Sequence, residues 1–403
     1  MSEWRFKRVF LWIFFAVSLF IIACAPGQAK AKVGSGAEGA SPSFSEAADA
    51  KKTDDLAFAQ FSSSGWKTDF SKRTVRMGEI SSGGPPKDGI PPVDRPQFEM
   101  AGETDKWLKD NEPVGYLNMN GEAKAYPLQI LIWHEIANDT VGGVPVSMTF
   151  CPLCNTVLAF DRRLDGMVLD FGTTGNLRFS DLVMYDRQTE TWWQQASGEA
   201  IVGELTGKEL TFLPAGVISW GQFKESFPNG KVLSRNTGFD RNYGRNPYAG
   251  YDTEGDPFLF KGKLDGRLPA MERVVTLSIK GKDVAYPFSH LEKKGVINDT
   301  IDGAPVVIFH KSGTASALDA SSIAASRDIG SGVAFNPVVD GKTLTFKAQG
   351  ERFVDSATGS RWDVTGKAVS GVLKSGQLTP VVHGNHFWFA WAAFKPNTDV
   401  REP

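Results

Sequence analysis

Hydrophobic and polar residues alternate in short runs over most of the chain beyond residue 110, with turn residues between the runs. The run "YLNMNGEAKAYPL" alternates around Asn120 and Gly121, a pair typical of a two-residue β-hairpin turn. The run "LSIKGKDVAYPF" repeats this pattern around Lys280 and Gly281. Other strand-like runs are "VPVSMTF", "TVLAFDRR", "MVLDFG", "DLVMYDR", "ETWWQQ" and "EAIVGEL". The pattern predicts mainly antiparallel β-structure.

Three segments lack this alternation and are typical of short helices: "QILIWHEI", "SWGQFKESF" and "HFWFAWAAF". The last two are rich in aromatic residues, which a helix that closes a core would bury. The sequence therefore predicts an α+β fold, mainly antiparallel β with short helices.

The chain also repeats itself. Residues 111–151 align without a gap with residues 271–311, so that "AYP" and "NDT" recur at matching positions. The similarity resumes further on, where "SWGQFKESFPN" matches "FAWAAFKPN". We predict two tandem copies of one unit with internal pseudo-symmetry, in which the shared residues build the fold.

The amino terminus has the pattern of an exported protein. Arg5, Lys7 and Arg8 precede an apolar run that ends at Cys24, and "LFIIAC" resembles a bacterial lipobox. The resemblance implies that Cys24 becomes a lipidated first residue; an uncleaved membrane anchor is the alternative. Ala25 in place of Asp implies sorting to the periplasmic face of the outer membrane. We therefore expect a cell-envelope protein attached to the membrane through Cys24.

The predicted organisation has five parts. They are a signal peptide (1–23), the lipidated cysteine with a flexible Gly-, Ala-, Ser- and Lys-rich tether (24–55), repeat unit 1 (56–232), an inter-repeat loop (233–267) and repeat unit 2 (268–403). The formal net charge of −2 and the absence of a basic stripe argue against a nucleic-acid partner. We therefore expect the partner to be a small ligand or another protein, which the sequence does not identify.

Beyond Cys24, the chain has two cysteines, both in "CPLC". Cys151 aligns with Lys311, and His134 aligns with Lys294, so these candidate ligands belong to the first copy alone. Together with Cys154 they offer three soft or borderline donors, suited to Zn(II) or Cu(I). His310 is a weaker candidate ligand from the second copy. "HGNHF" is predicted to be a turn that does not bind metal.

Two other interpretations of "CPLC" stay open: a thiol–disulfide redox pair, and a structural disulfide or buried thiols. The surrounding hairpin pattern is not the βαβ unit of a thioredoxin fold, and no catalytic fingerprint occurs elsewhere. Asp181 is a candidate carboxylate for orienting an imidazole. Large aromatic residues that we expect near the site or in a pocket are Trp133, Tyr185 and Trp192.

The inter-repeat loop has no counterpart in the second copy, and unmatched long loops are often functional. Its candidate binding residues are Arg241, Tyr243, Arg245, Asn246 and Tyr248. A surface module that recognises a ligand or partner through this loop is therefore a further hypothesis.

Four segments together resemble one bacterial family, the domain of unknown function 3179 family: "SGGPPKDGIPPVD", "AYPLQILIWHEIANDTVGGVPVSMTFCPLCNT", "LDFGTTGNLRFSDLVMYDRQTETWWQQASGEAIVG" and "FWFAWAAFKP". The resemblance implies an exported or membrane-tethered domain and brings no mechanism. The sequence favours an exported lipoprotein that binds a soft metal ion, copper or zinc, through Cys151, Cys154 and His134. The alternative is an extracytoplasmic redox enzyme that uses the two cysteines.

Overall fold

A computed structural model describes residues 44–401 of the protein. The predicted signal peptide, Cys24 and the first part of the predicted tether lie outside this range. None of the helices within it is long and apolar enough to cross a membrane.

Five α-helices occur in the described range: α1 (Phe44–Ser62), α2 (Leu128–His134), α3 (Trp220–Ser226), α4 (Phe288–Lys294) and α5 (Trp388–Phe394). The last four each have seven residues; α2, α3 and α5 coincide with the three predicted short helices, whereas α4 was not predicted. Helix α1 begins at Phe44, so helical structure starts earlier than residue 56, where folded structure was predicted to begin. The segment "EAADAKK" is rich in good helix formers, which explains this difference.

Strands make up most of the remaining regular structure. Up to residue 233 they are β1 (Ile80–Ser82), β2 (Phe98–Met100), β3 (Pro113–Met119), β4 (Glu122–Pro127), β5 (Ile136–Val141), β6 (Val144–Cys151), β7 (Thr156–Asp161), β8 (Arg163–Leu164), β9 (Met167–Val168), β10 (Phe171–Arg178), β11 (Asp181–Asp186), β12 (Trp192–Gln194), β13 (Ala200–Val202), β14 (Thr211–Leu213), β15 (Gly216–Ser219) and β16 (Lys231–Leu233).

After the long loop the strands are β17 (Arg273–Ile279), β18 (Lys282–Pro287), β19 (Val296–Ile301), β20 (Ala304–Lys311), β21 (Ser331–Asn336), β22 (Val338–Val339), β23 (Lys342–Thr343), β24 (Phe346–Gln349), β25 (Arg352–Asp355), β26 (Arg361–Trp362), β27 (Ala368–Ser370), β28 (Thr379–Pro380), β29 (Gly384–Phe387) and β30 (Asp399–Val400).

Small sheets organise these strands. In the first half their orders are β15-β3-β4-β16-β2, β14-β7-β6-β5 and β1-β10-β11-β12-β13; in the second half they are β29-β17-β18-β30, β19-β20-β21-β28 and β24-β25-β26-β27. Pairing is antiparallel except where β16 meets β4 and β30 meets β18. The predicted α+β fold with mainly antiparallel strands is confirmed.

Both predicted hairpins form with two-residue turns. Met119 pairs with Glu122, and the turn residues Asn120 and Gly121 have φ angles of 50° and 82°. Ile279 pairs with Lys282 in the same way. These left-handed angles match the right-handed twist of the strands, which is why Asn-Gly is favoured there.

The shared sequence motifs have structural roles. The Tyr126 hydroxyl donates a hydrogen bond to Asp139 at 2.6 Å, and Tyr286 donates to Asp299 at 2.7 Å. The indole N–H of Trp193 donates to Asp186 at 2.9 Å. The equivalent pair in the second half is Trp362 and Asp355, at 3.0 Å. These residues satisfy buried polar groups of the scaffold, so the site must be sought elsewhere.

Candidate metal centre

Two thiols and one carboxylate converge in the core of the first half. The Sγ atoms of Cys151 and Cys154 and a carboxylate oxygen of Asp181 all lie within 4.8 Å of one another. All three residues are buried, and the two cysteines are not joined by a disulfide. No other group of three His, Cys, Asp or Glu side chains in residues 44–401 meets this distance.

A tight turn brings the two cysteines together. Cys151 is the last residue of β6 and pairs with Thr156, the first residue of β7. Between them, the Asn155 N–H donates to the Pro152 carbonyl at 3.1 Å, and Asn155 has a left-handed φ of 52°. Asn tolerates this conformation better than most residues. The turn therefore places both thiols on the same side.

A second turn delivers Asp181. Strands β10 and β11 are joined through Phe179 and Ser180, with φ angles of 51° and 64°. Glycine or asparagine usually occupies such positions, so a Phe-Ser pair here is strained. The Ser180 carbonyl oxygen lies 3.6 Å from the Cys151 sulfur and 3.4 Å from the Cys154 sulfur. The strained backbone at Phe179 and Ser180 therefore lies next to the two thiols.

One oxygen of Asp181 is held and the other has no partner. Oδ2 accepts hydrogen bonds from the side chain of Gln194 at 2.6 Å and from the backbone N–H of Ala196 at 2.9 Å. Oδ1 is buried without a hydrogen-bond partner in the described part of the chain. Burial raises the pKa of Asp181 to about 6. A buried, unpartnered carboxylate oxygen beside two thiols is a ready donor for a cation.

Glu135 is a further acidic group of this region that the sequence analysis missed. It follows α2 with a left-handed φ of 58°, and its equivalent after α4 is Gly295, with a φ of 69°. Glycine adopts this conformation without strain, whereas glutamate does not. Burial, and secondly the charge of Asp181, raise the pKa of Glu135 to about 8. The alignment of Glu135 with Gly295 was the signal that could have identified it.

The acidic side chains around the two thiols have no basic partner. Burial raises the pKa of both thiols, and neighbouring Asp181 and Glu135 raise that of Cys151 further. No lysine, arginine or histidine in the range 44–401 forms an ion pair with Asp181 or Glu135. Without a cation, Glu135 and the two thiols keep their protons at neutral pH, whereas a bound metal ion would displace the thiol protons.

His134 is not in the cluster. Its Nδ1 lies 2.6 Å from the Pro91 carbonyl oxygen and its Nε2 lies 2.6 Å from the Tyr243 hydroxyl. The carbonyl can only accept, so Nδ1 donates and Nε2 accepts from Tyr243. Burial lowers the pKa of His134 to about 4. The His134 imidazole is therefore neutral, and both of its ring nitrogens are engaged in hydrogen bonds. The third candidate ligand beside the two thiols is Asp181, not His134 as predicted from the sequence.

His310 and the aromatic candidates also lie apart from the thiols. The His310 ring packs against Phe288 in the second half, with ring centroids 5.5 Å apart. Tyr185 donates to Asp88 at 2.6 Å. Trp192 packs edge-on against Phe61, and Trp133 is partly buried with an unpartnered indole N–H. Burial and packing, rather than ligation, account for these positions.

The loop predicted over residues 233–267 covers the cysteine turn. Tyr251 donates a hydrogen bond to the Leu153 carbonyl at 3.0 Å. Tyr248 is close enough to Glu135 and Cys151 for their charges to raise its pKa, after the larger effect of burial. Asn246 is held by the backbone of Ser321, whereas Arg241 and Arg245 lie at the surface or partly exposed. The loop thus contributes tyrosines to the surroundings of the site.

The family follows from a match over most of the chain. The model of the family described as "Protein of unknown function (DUF3179)" matches residues 87–398. The chain belongs to the DUF3179 family. Searches among curated proteins and among solved structures each found no match. The candidate metal centre of this DUF3179 protein therefore has to be judged on its own chemistry.

The DUF3179 domain should lose stability with rising pH when metal is absent. The pKa of Glu135 is about 8 in the folded chain and near 4.5 in the unfolded chain. Between these values the folded state holds a proton that the unfolded state has released, so the free energy of unfolding falls as pH rises. Glu135→Gln, which cannot titrate, should flatten this slope. Urea unfolding with a chelator, at several pH values from about 5 to about 8, measures the slope. Equal slopes for both proteins would contradict the assignment.

Proposed function

We propose that the protein binds a thiophilic divalent metal ion, with zinc the best fit, through Cys151, Cys154 and Asp181. The observation that carries the proposal is the convergence of two thiols with a carboxylate that has a free buried oxygen. Zinc readily combines thiolate and carboxylate ligands, whereas Cu(I) prefers soft donors alone. Calcium and magnesium prefer oxygen donors. The carboxylate therefore favours zinc over copper.

The burial of the site favours retention of an ion over thiol–disulfide exchange. Cys154 and Asp181 are fully buried, and Cys151 is 2 % exposed. Exchange requires that a thiolate reach a disulfide of the substrate, and a raised thiol pKa also opposes it. A metal ion, by contrast, needs only to enter once during folding. Structural binding or storage of the ion fits this geometry better than a redox cycle.

Metal analysis of variants tests the proposal. The full chain, purified without chelator, should hold about one zinc ion per molecule with both thiols protected from alkylation. Cys151→Ser and Cys154→Ser should lose the ion, and His134→Ala should keep it because His134 is engaged elsewhere. Metal-free protein with a reversible disulfide would overturn the proposal in favour of the redox pair.

We also propose that the two halves are copies of one unit. In support, equivalent strands pair in equivalent register: Val114 with Pro127 and Val274 with Pro287, then Ile136 with Thr149 and Val296 with Phe309. The buried Tyr–Asp and Trp–Asp pairs recur as well. On this view the first copy acquired the cysteines and the second kept the scaffold.

The cellular placement is likewise a proposal. The lipobox-like "LFIIAC" supports lipidation at Cys24 and attachment to the periplasmic face of the outer membrane. Mass spectrometry of the amino-terminal peptide from envelope fractions tests it. A diacylated peptide that begins at Cys24 is the expected result, and an intact peptide that begins at Met1 would contradict it.

A further inference from the structure

A pocket of about 530 Å³ lies between the first half and the β29–α5 region of the second. Its volume is within the range of about 300–1,000 Å³ that small-molecule sites occupy. The lining residues used below are Arg178, Glu199, Glu209, His383, Trp391 and Lys395.

Two carboxylates on one wall have no counter-charge. Glu199 and Glu209 are opposite each other across an isolated antiparallel bridge. In the part of the chain that the structure covers, neither side chain takes part in any of the ion pairs or side-chain hydrogen bonds. Like charges placed opposite each other repel, so a bound cation would stabilise this arrangement.

The basic residues of the pocket are already paired. The Nε of Arg178 lies 2.8 Å from a carboxylate oxygen of Glu79, and the Nζ of Lys395 lies 3.5 Å from Asp283. Their charges are therefore compensated by residues outside the Glu199–Glu209 pair. The unmatched charge of the pocket is negative.

A buried histidine adds a free acceptor. The Nδ1 of His383 lies 2.7 Å from the Val381 carbonyl, which can only accept, so Nδ1 carries the hydrogen. The Nε2 atom then carries a lone pair, and it has no hydrogen-bond partner among the residues described. Because His383 is 6 % exposed, water does not readily satisfy this nitrogen. The two carboxylates and this imidazole nitrogen are thus acceptors.

The remaining walls of the pocket include aromatic side chains. Trp391, Phe212 and Phe394 line the pocket. Its carboxylates and imidazoles do not form a group of three within 4.8 Å, as ligands of one metal ion would. We propose that this pocket binds a small organic cation, a protonated amine on an aliphatic chain. The ammonium N–H groups would meet the acceptors while the chain lies against the aromatic rings.

The pocket and the metal centre are neighbours but are independent in this proposal. Ala196 lines the pocket, and its N–H donates to Asp181 at 2.9 Å. Neither cysteine nor Asp181 lines the pocket, so amine binding is expected in the metal-free protein as well.

Binding of 1,5-diaminopentane to the full chain tests this inference, with 1,5-pentanediol as the uncharged probe of the same length. Calorimetry and ligand-observed NMR should detect the diamine and not the diol. Glu199→Gln combined with Glu209→Gln should weaken diamine binding by at least about tenfold, since both charges are lost. Glu204→Gln removes an exposed carboxylate that does not line the pocket and should change nothing.

Several results would overturn the inference. They are undetectable diamine binding, equal binding of diol and diamine, and full retention of binding in the double variant with unchanged circular dichroism. Preferential binding of glutarate, an anion of similar length, would also exclude a cation site. Loss of zinc in the cysteine variants should leave the diamine affinity unchanged, which separates this inference from the proposed metal site.

Discussion

Asp252→Asn is expected to lower the free energy of unfolding by about 3–5 kcal/mol, because it breaks a buried ion pair and leaves a charge behind. The Asp252 carboxylate is completely buried and lies 2.5 Å from Arg273 and 2.9 Å from Arg327. It also accepts a hydrogen bond from Ser316 at 2.5 Å. The guanidinium of Arg273 is itself buried, so it cannot turn to water once its partner is neutral.

Urea unfolding of the variant measures this loss. Asp165→Asn is the matched control, since the Asp165–Lys208 pair is about half exposed and should contribute at most about 1 kcal/mol. Adding Arg273→Met to Asp252→Asn should recover part of the stability by removing the orphaned charge. A loss below about 1 kcal/mol would show that the pair does not stabilise the fold, and no recovery in the double variant would show that the orphaned charge is not the cause of the loss.

Asp181→Asn is expected to weaken zinc binding by more than about 100-fold, because partners outside the ligand shell already cost about 10–100-fold. The amide keeps the volume of the carboxylate and removes the charge that attracts the ion. Burial raises the pKa of Asp181 to about 6, so the metal-free fold should tolerate the neutral amide. Competition with a chromophoric chelator measures the affinity.

Two controls accompany this measurement. Asp256→Asn changes an exposed aspartate and should leave the affinity unchanged. His134→Phe should also leave it unchanged, since both ring nitrogens of His134 are hydrogen-bonded away from the thiols. A large effect of His134→Phe without an effect of Asp181→Asn would restore the ligand set that the sequence suggested.

Local patterns were enough to predict many of the strands, three of the short helices and both hairpins, but they missed α4 and did not separate β9 from β10. Asn120-Gly121 fixes its turn through φ angles that few other pairs adopt. Alternation did not show which faces are buried, since β7 and β11 are buried along their whole length. The tether was harder, because helix formers within it extend α1 to Phe44. Composition alone does not separate a flexible segment from an exposed helix.

The cysteines could be selected from sequence, but their partners could not. Cys151 and Cys154 stand out because the aligned segment of the second half has no cysteines. His134 has the same contrast, yet the folded chain directs its ring to Pro91 and Tyr243. Asp181 reaches the thiols through a strained turn whose geometry no periodicity reveals. Glu135 differs from Gly295 in a way that becomes informative only when the left-handed backbone is known.

Cobalt substitution of the full chain tests the central claim most directly. Co(II) takes up the ligands of zinc and reports them in its absorption spectrum. We predict intense thiolate-to-cobalt charge-transfer bands in the near ultraviolet, with visible bands of tetrahedral cobalt that disappear in Cys154→Ser and weaken in Asp181→Asn. A spectrum without charge-transfer bands, or one that the Cys151→Ser and Cys154→Ser variants share with the wild type, would show that the thiols do not hold a metal ion.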